Sequence, residues 1–158
     1  MRRSFRSVSA AETIALGMRL GRLLSAGSVL LLEGPMGAGK TRFAKGVYLG
    51  LGGDDPDVVT SPTYNLQHIY EGGRLPLTHY DLYRLEKASQ VEGLDADGGF
   101  VDPGGIVMIE WPELARSMVG PLEALVVTFE LDASEGGRTL TFDAPGTRYA
   151  AVFAGIGP

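Results

Sequence analysis

One stretch constrains this chain more than any other: Gly34-Pro35-Met36-Gly37-Ala38-Gly39-Lys40-Thr41. It matches G-x-x-x-x-G-K-[ST] in full, and the chain's own residue counts predict roughly 0.007 such matches by chance. The context fits as well. Val29-Leu30-Leu31-Leu32 is a short continuous apolar run, the pattern of a strand buried on both faces. Phe43, Val47 and Leu51 follow at i, i+4 and i+8, a helix that stops at Gly52-Gly53. In a strand–glycine loop–helix unit the loop amides form a concave anion site, with glycine where a phosphate crowds the backbone. Lys40 reaches the β- and γ-phosphates as a point charge, and the Thr41 hydroxyl suits Mg²⁺. The helix N-terminus adds positive partial charge. Lys45, one turn later, reads as a surface lysine.

The remaining pattern extends this unit. Ser9-Ala10-Ala11-Glu12 is a capping box, and Leu16, Leu20, Leu23 and Leu24 form one face of the helix it opens. Asn65 to Tyr70 and Leu75 to Asp81 predict a hairpin around Glu71-Gly72-Gly73-Arg74. Glu86 to Gly93 reads as a short helix, and Asp95 to Gly105 as a long loop. Ile106-Val107-Met108-Ile109 is a second buried strand ending in Glu110, and Pro112 sits where a first-turn helical proline belongs. Leu125 to Leu131 and Thr139 to Phe142 predict a second hairpin around Ser134-Glu135-Gly136-Gly137.

A phosphate loop needs acidic partners, which usually end a buried strand. Glu110 has that position and is a candidate for Mg²⁺; the alternative is a solvated strand-ending acid. Asp81 ends another strand-like run. It can bind Mg²⁺ through water, orient the attacking water, or serve only in a turn. His79 by itself reads as a packed histidine. Ser61-Pro62-Thr63-Tyr64 is a stiff polar turn that either presents Thr63 to a γ-phosphate, as switch loops do, or is turn chemistry alone. Asp95-Ala96-Asp97-Gly98 and Asp102-Pro103-Gly104-Gly105 both fit D-x-x-G, but no N-K-x-D motif accompanies them, which argues against a GTPase.

Composition narrows the class further. The chain has 158 residues, a hydrophobic fraction of 44% and no cysteine. These values fit one globular domain spanning 1–158 and exclude disulfides, thiolate catalysis and cysteine-based zinc sites. Two histidines, His68 and His79, do not make a multi-histidine metal site. The net charge of −5 disfavours stand-alone nucleic-acid binding. No apolar run is long enough to span a membrane. The basic start Met1 to Arg6 lacks the apolar stretch of a targeting signal, so a cytoplasmic protein is expected. Residues 1–6 and 149–158 read as loosely ordered ends.

The ordered set is more specific than its members. Leu32-Glu33-Gly34 to Thr41, then Thr60-Ser61-Pro62-Thr63-Tyr64, then His79-Tyr80-Asp81-Leu82-Tyr83-Arg84-Leu85, then Ile109-Glu110-Trp111-Pro112 together resemble the TsaE (YjeE) family. These are small P-loop ATPases needed for threonylcarbamoyl modification of the adenosine beside the tRNA anticodon. The resemblance is clear from about Leu30 to Glu113. It implies an α/β, P-loop NTPase-like three-layer fold, with a mainly parallel central sheet extended by antiparallel strands and hairpins. It implies ATP as the nucleotide, with Thr41 and Glu110 at the positions that hold Mg²⁺. Lys40, Asp81 and Thr63 match the catalytic positions. Gly34, Met36, Gly37, Ala38, Gly39, Lys40 and Thr41 match the nucleotide-binding loop. Gly137-Arg138 resembles a glycine–arginine pair whose arginine lies near the nucleotide. Arg42 stands where a second Thr or Ser is common, free to contact phosphate, a partner or solvent. The implied partners are a TsaD–TsaB type complex and, through it, tRNA. The expected activity is an ATP hydrolase, weak alone and stimulated by those partners. A small-molecule kinase and a nucleotide-dependent scaffold share the loop and remain alternatives.

Overall fold

The computed structural model describes residues 1–62, 64–95, 100–120, 124–133 and 136–157. Its centre is one seven-stranded sheet. In spatial order the strands are β1 (Arg2–Ser7), β7 (Arg138–Asp143), β6 (Ala124–Leu131), β2 (Ser28–Glu33), β5 (Ile106–Glu110), β4 (Leu77–Asp81) and β3 (Gln67–Tyr70). Strands β6, β2, β5 and β4 run parallel, while β3, β7 and β1 extend the two edges through antiparallel pairs. The fold is therefore α/β with a mainly parallel core and antiparallel extensions, as expected.

Period-2 alternation divides the central strands between two faces. Leu30 and Leu32 of β2, with Ile106 and Met108 of β5, share a cluster with Leu16 and Leu20 of α1 (Ala10–Leu23) and Phe43 and Val47 of α2 (Lys40–Gly50). Val29 and Leu31, with Val107 and Ile109, face the other way, against Val91 of α3 (Ala88–Asp95), Phe100, Ala115 and Val119. Both sets are buried, which is why these strands read as unbroken apolar runs.

Helix α1 starts as its capping box directs. Ser9 Oγ accepts from Glu12 N–H at 3.1 Å, and Glu12 reaches back to accept from Val8 N–H at 2.8 Å. The α1–α2 contact is made by glycines. A Cβ on Gly46 would collide with the backbone carbonyl of Ile14, and one on Gly17 with that of Phe43; Gly21 and Gly50 repeat the contact one turn on. The two helix backbones touch because no side chain lies between them.

The chain ends differ from the reading as loose segments. Strand β1 pairs along its length with β7, from Arg2 opposite Asp143 to Ser7 opposite Arg138. The Met1 ammonium donates to Ala144 O at 2.7 Å. The strand went unseen because it is an exposed edge: backbone bonds hold it, and Phe5, whose ring packs tilted against Phe142 with centroids 5.2 Å apart, is its one large apolar anchor. At the other end, Tyr149, Val152, Phe153 and Ile156 are buried at helical spacing around α4 (Ala150–Gly155), on the α1 side. Tyr149 Oη donates to Val29 O and accepts from Val29 N–H, both at 3.0 Å.

Other boundaries also shift, and the short helix read over Glu86 to Gly93 runs instead from Ala88 to Asp95. Strand β3 begins at Gln67 rather than Asn65 because Leu66 has φ +62 and donates its N–H to Pro62 O. Strand β4 begins after Pro76, which has no amide N–H to give. Pro112 opens a single 3₁₀ turn, Pro112–Leu114. Among the expected features, the first D-x-x-G match and the tip of the β6–β7 hairpin at Ser134-Glu135 fall wholly or partly outside the described residues.

Candidate nucleotide-binding site

The loop from Gly34 to Gly39 joins the end of β2 to the start of α2. Two of its glycines have no substitute. Gly34 has φ +143, and a Cβ there would lie 2.6 Å from Phe129 O. Gly39 has φ +105, and a Cβ would lie 2.5 Å from the Arg138 guanidinium. These conformations turn the backbone back over the start of α2.

Lys40 is buried and sits across the loop. Its Nζ donates to Gly34 O at 2.6 Å and Pro35 O at 3.0 Å, and lies 4.2 Å from the centre of the Trp111 ring. Burial pulls the Lys40 ammonium below the usual lysine range, while the carboxylates of Glu110, Asp81 and Glu113 pull it back up. Trp111 holds its place at a cost. Its φ is +57, a left-handed backbone that costs a non-glycine residue on the order of 1–3 kcal/mol. Its ring packs on Tyr83, centroids 4.9 Å apart.

The carboxylates arrive from neighbouring strands. In register, Leu32 of β2 lies beside Glu110 of β5, and Glu110 beside Asp81 of β4. Alternation puts Asp81 and Glu110 on the face of Leu77, Ile106 and Met108, the face that α2 covers. Both are buried. Asp81 accepts from Ser61 Oγ at one oxygen and from Tyr83 N–H, 3.0 Å away, at the other. Glu110 Oε1 accepts from His79 Nε2 at 3.0 Å.

These groups line one open cleft of about 490 Å³. Met36, Gly37, Gly39, Lys40, Thr41 and Arg42 form its loop side; Asp81 and Glu110 form the opposite wall. Ser61, Tyr83, Arg84 and Trp111 complete it. Gly34 abuts Phe129 and Ala38 is fully buried, so neither lines the cleft. Arg138 does not line the cleft. It is buried behind the loop, donating from Nη1 to Ala38 O at 3.1 Å and from Nη2 to Gly136 O at 3.2 Å. Thr63 lies outside the described residues. Lys45 is paired with Asp57 at 3.3 Å, away from the cleft. Sequence reasoning assigned no part in the site to Trp111 or Tyr83, and read His79 as packing. His79 did carry a signal: it stands two residues before Asp81, so a strand puts both on one face.

Chemically, the cleft opposes a cradle of backbone amides and one ammonium to two hard carboxylates. No helix among the described residues is long and apolar enough to cross a membrane.

Known proteins match this arrangement along almost the whole chain. The family model described as "Threonylcarbamoyl adenosine biosynthesis protein TsaE" matches residues 7–140. The TsaE protein of Bacillus subtilis is 38% identical over 145 residues, covering 92% of this chain and 87% of that one. The TsaE protein of Treponema pallidum is 40% identical over 136 residues, covering 85% and 96%. The crystal structure of YdiB from Bacillus subtilis superposes with a TM-score of 0.80 at 31% identity, covering 99% of this chain and 94% of that one. With sequence, fold and loop in agreement, the chain belongs to the TsaE family of tRNA threonylcarbamoyladenosine biosynthesis proteins.

Proposed function

We propose that this chain binds ATP with Mg²⁺ in the cleft and hydrolyses it in support of a TsaD–TsaB type complex that threonylcarbamoylates tRNA. One observation carries the reading: the glycine loop and Lys40 face two buried carboxylates that neighbouring parallel strands hold at adjacent register positions.

The donor set fits magnesium. Thr41 offers a hydroxyl and Glu110 a carboxylate, both hard oxygen ligands. Among the described residues no cluster of three or more His, Cys, Asp or Glu could hold a metal alone. Mg²⁺ held by one or two protein oxygens and substrate phosphates does not need such a cluster. Thr41 and Glu110 would hold the ion, which would neutralise charge on the phosphates when bound.

The chain's own groups supply the rest. The loop amides cradle the phosphates, and Lys40 stabilises charge on the group in transfer. Trp111 covers the lysine and limits its hydration, so the ammonium acts in a drier setting than bulk water. Asp81, fixed by Ser61 and the Tyr83 amide, orients the attacking water. Arg138 stiffens the loop from behind through Ala38 O. Thr63, two residues after Ser61, responds to the γ-phosphate.

ATP turnover by the purified chain, alone and with its TsaD–TsaB counterparts, tests this. Turnover is expected to rise with the partners and to fall at least about 100-fold in Lys40→Ala. Turnover indifferent to Lys40, or phosphate appearing on a small acceptor instead of free, would defeat the proposal.

A further inference from the structure

We infer that His79 is a positioning residue, whose imidazole fixes the rotamer of Glu110 so that one carboxylate oxygen is presented to the cleft. The inference rests on the reading of Glu110 as a magnesium-holding group. His79 is fully buried, with an exposure of 0%. It sits on β4 opposite Met108 in register, so Glu110, two residues further along β5, projects from the same face over the ring. Among the described residues the only polar contact of the ring is Nε2 to Glu110 Oε1, 3.0 Å apart. A carboxylate only accepts hydrogen bonds, so Nε2 carries the hydrogen.

The other nitrogen separates positioning from packing. His79 Nδ1 is buried and has no hydrogen-bond partner among the described residues. Tyr70, the aromatic neighbour with ring centroids 6.1 Å apart, uses its hydroxyl on Thr60 O at 2.9 Å. A bare buried nitrogen is a cost that leucine or phenylalanine would avoid while filling the same space. Packing alone therefore does not account for a histidine here; the bond to Glu110 does. With Oε1 held from below, Oε2 is the oxygen left for the cleft. Partners of this kind, one bond behind a metal ligand, orient the ligand and are worth about 10–100-fold in metal affinity.

The experiment titrates Mg²⁺ against binding of a fluorescent ADP analogue to the purified chain carrying His79→Gln, His79→Asn, His79→Leu or Glu110→Gln. Binding of the analogue in EDTA reports that the loop is folded. A glutamine amide reaches where Nε2 stood, whereas asparagine is too short and leucine has no donor. The expected result is an apparent Mg²⁺ affinity weakened about 10-fold in the Asn and Leu variants and close to wild type in Gln. Wild-type Mg²⁺ dependence in His79→Leu, beside a loss in Glu110→Gln, would reduce His79 to packing and overturn the inference. If leucine does not fold, equal shifts in Gln and Asn overturn it instead. Wild-type Mg²⁺ dependence in Glu110→Gln would overturn the metal reading itself, and the inference with it.

Discussion

On the α1–α2 face of the sheet, Gly17, Gly21, Gly46 and Gly50 bring two helix backbones into direct contact. On the opposite face, Gly93 of α3 meets nothing within 4 Å of where a Cβ would stand. The same residue type thus does opposite things on the two faces. In the first, missing side chains are the packing surface; in the second, a missing side chain is only lost helix propensity. The tight face also carries the start of α2, and with it Lys40 and Thr41. The helix that presents the loop is locked against its neighbour.

Alanine substitution breaks this comparison most directly. Gly46→Ala puts a methyl group into the Ile14 carbonyl and should cost about 3 kcal/mol, the upper range for overpacking, read as a lowered urea midpoint. A loss below about 1 kcal/mol would mean that the helices part easily and the contact is not a lock.

Tyr149→Phe sharpens the same face at its C-terminal end. It leaves the N–H and C=O of Val29 without their partner, at a cost of about 1–3 kcal/mol. The tyrosine also imposes a pH dependence. Burial, opposed by the bond to Val29 and by Arg148, raises the Tyr149 hydroxyl above the usual tyrosine range. Above about pH 10 the unfolded chain loses that proton while the folded chain keeps it, so stability falls as pH rises. Chemical denaturation between pH 8 and pH 11 should show that fall flattened in Tyr149→Phe, with Tyr70, likewise raised by burial, supplying what remains.

Gly93→Ala is the smallest effect and the opposite in sign. With open space around it, alanine should stabilise α3 by about 0.5–1 kcal/mol. A loss there would remove the contrast between the faces.

The site was legible in unequal parts. The loop was readable because its strand, turn and helix are contiguous, and local spacing encodes them. Asp81 and Glu110 were readable as strand-ending acids. That they stand side by side was not, since it depends on β4 pairing with β5 across intervening chain. The guanidinium of Arg138 lies behind the loop on Ala38 O, a contact across 100 positions of sequence that no local pattern encodes. His79 looked like packing because one strand read alone does not reveal which carboxylate lies on the next.

The edges show the same limit in the fold. β1 has almost no apolar pattern, because an exposed edge strand is held by backbone bonds that every sequence can make. The glycines of α1 and α2 lowered the helical signal of those segments, while in the folded protein they are the contact.

The sequence by itself determined the local chemistry of this protein. It specified a phosphate-type loop between a buried strand and a helix, acids at strand ends, and the motif order of the TsaE family. Periodicity, capping and glycine spacing act over a few residues, so they can be read from one segment at a time. Only the tertiary structure decided strand order, the pairing of His79 with Glu110, the place of Arg138 and the anchoring of both chain ends. Those depend on which distant surfaces bury each other, and burial is a property of the assembled sheet and helices rather than of any one stretch of chain.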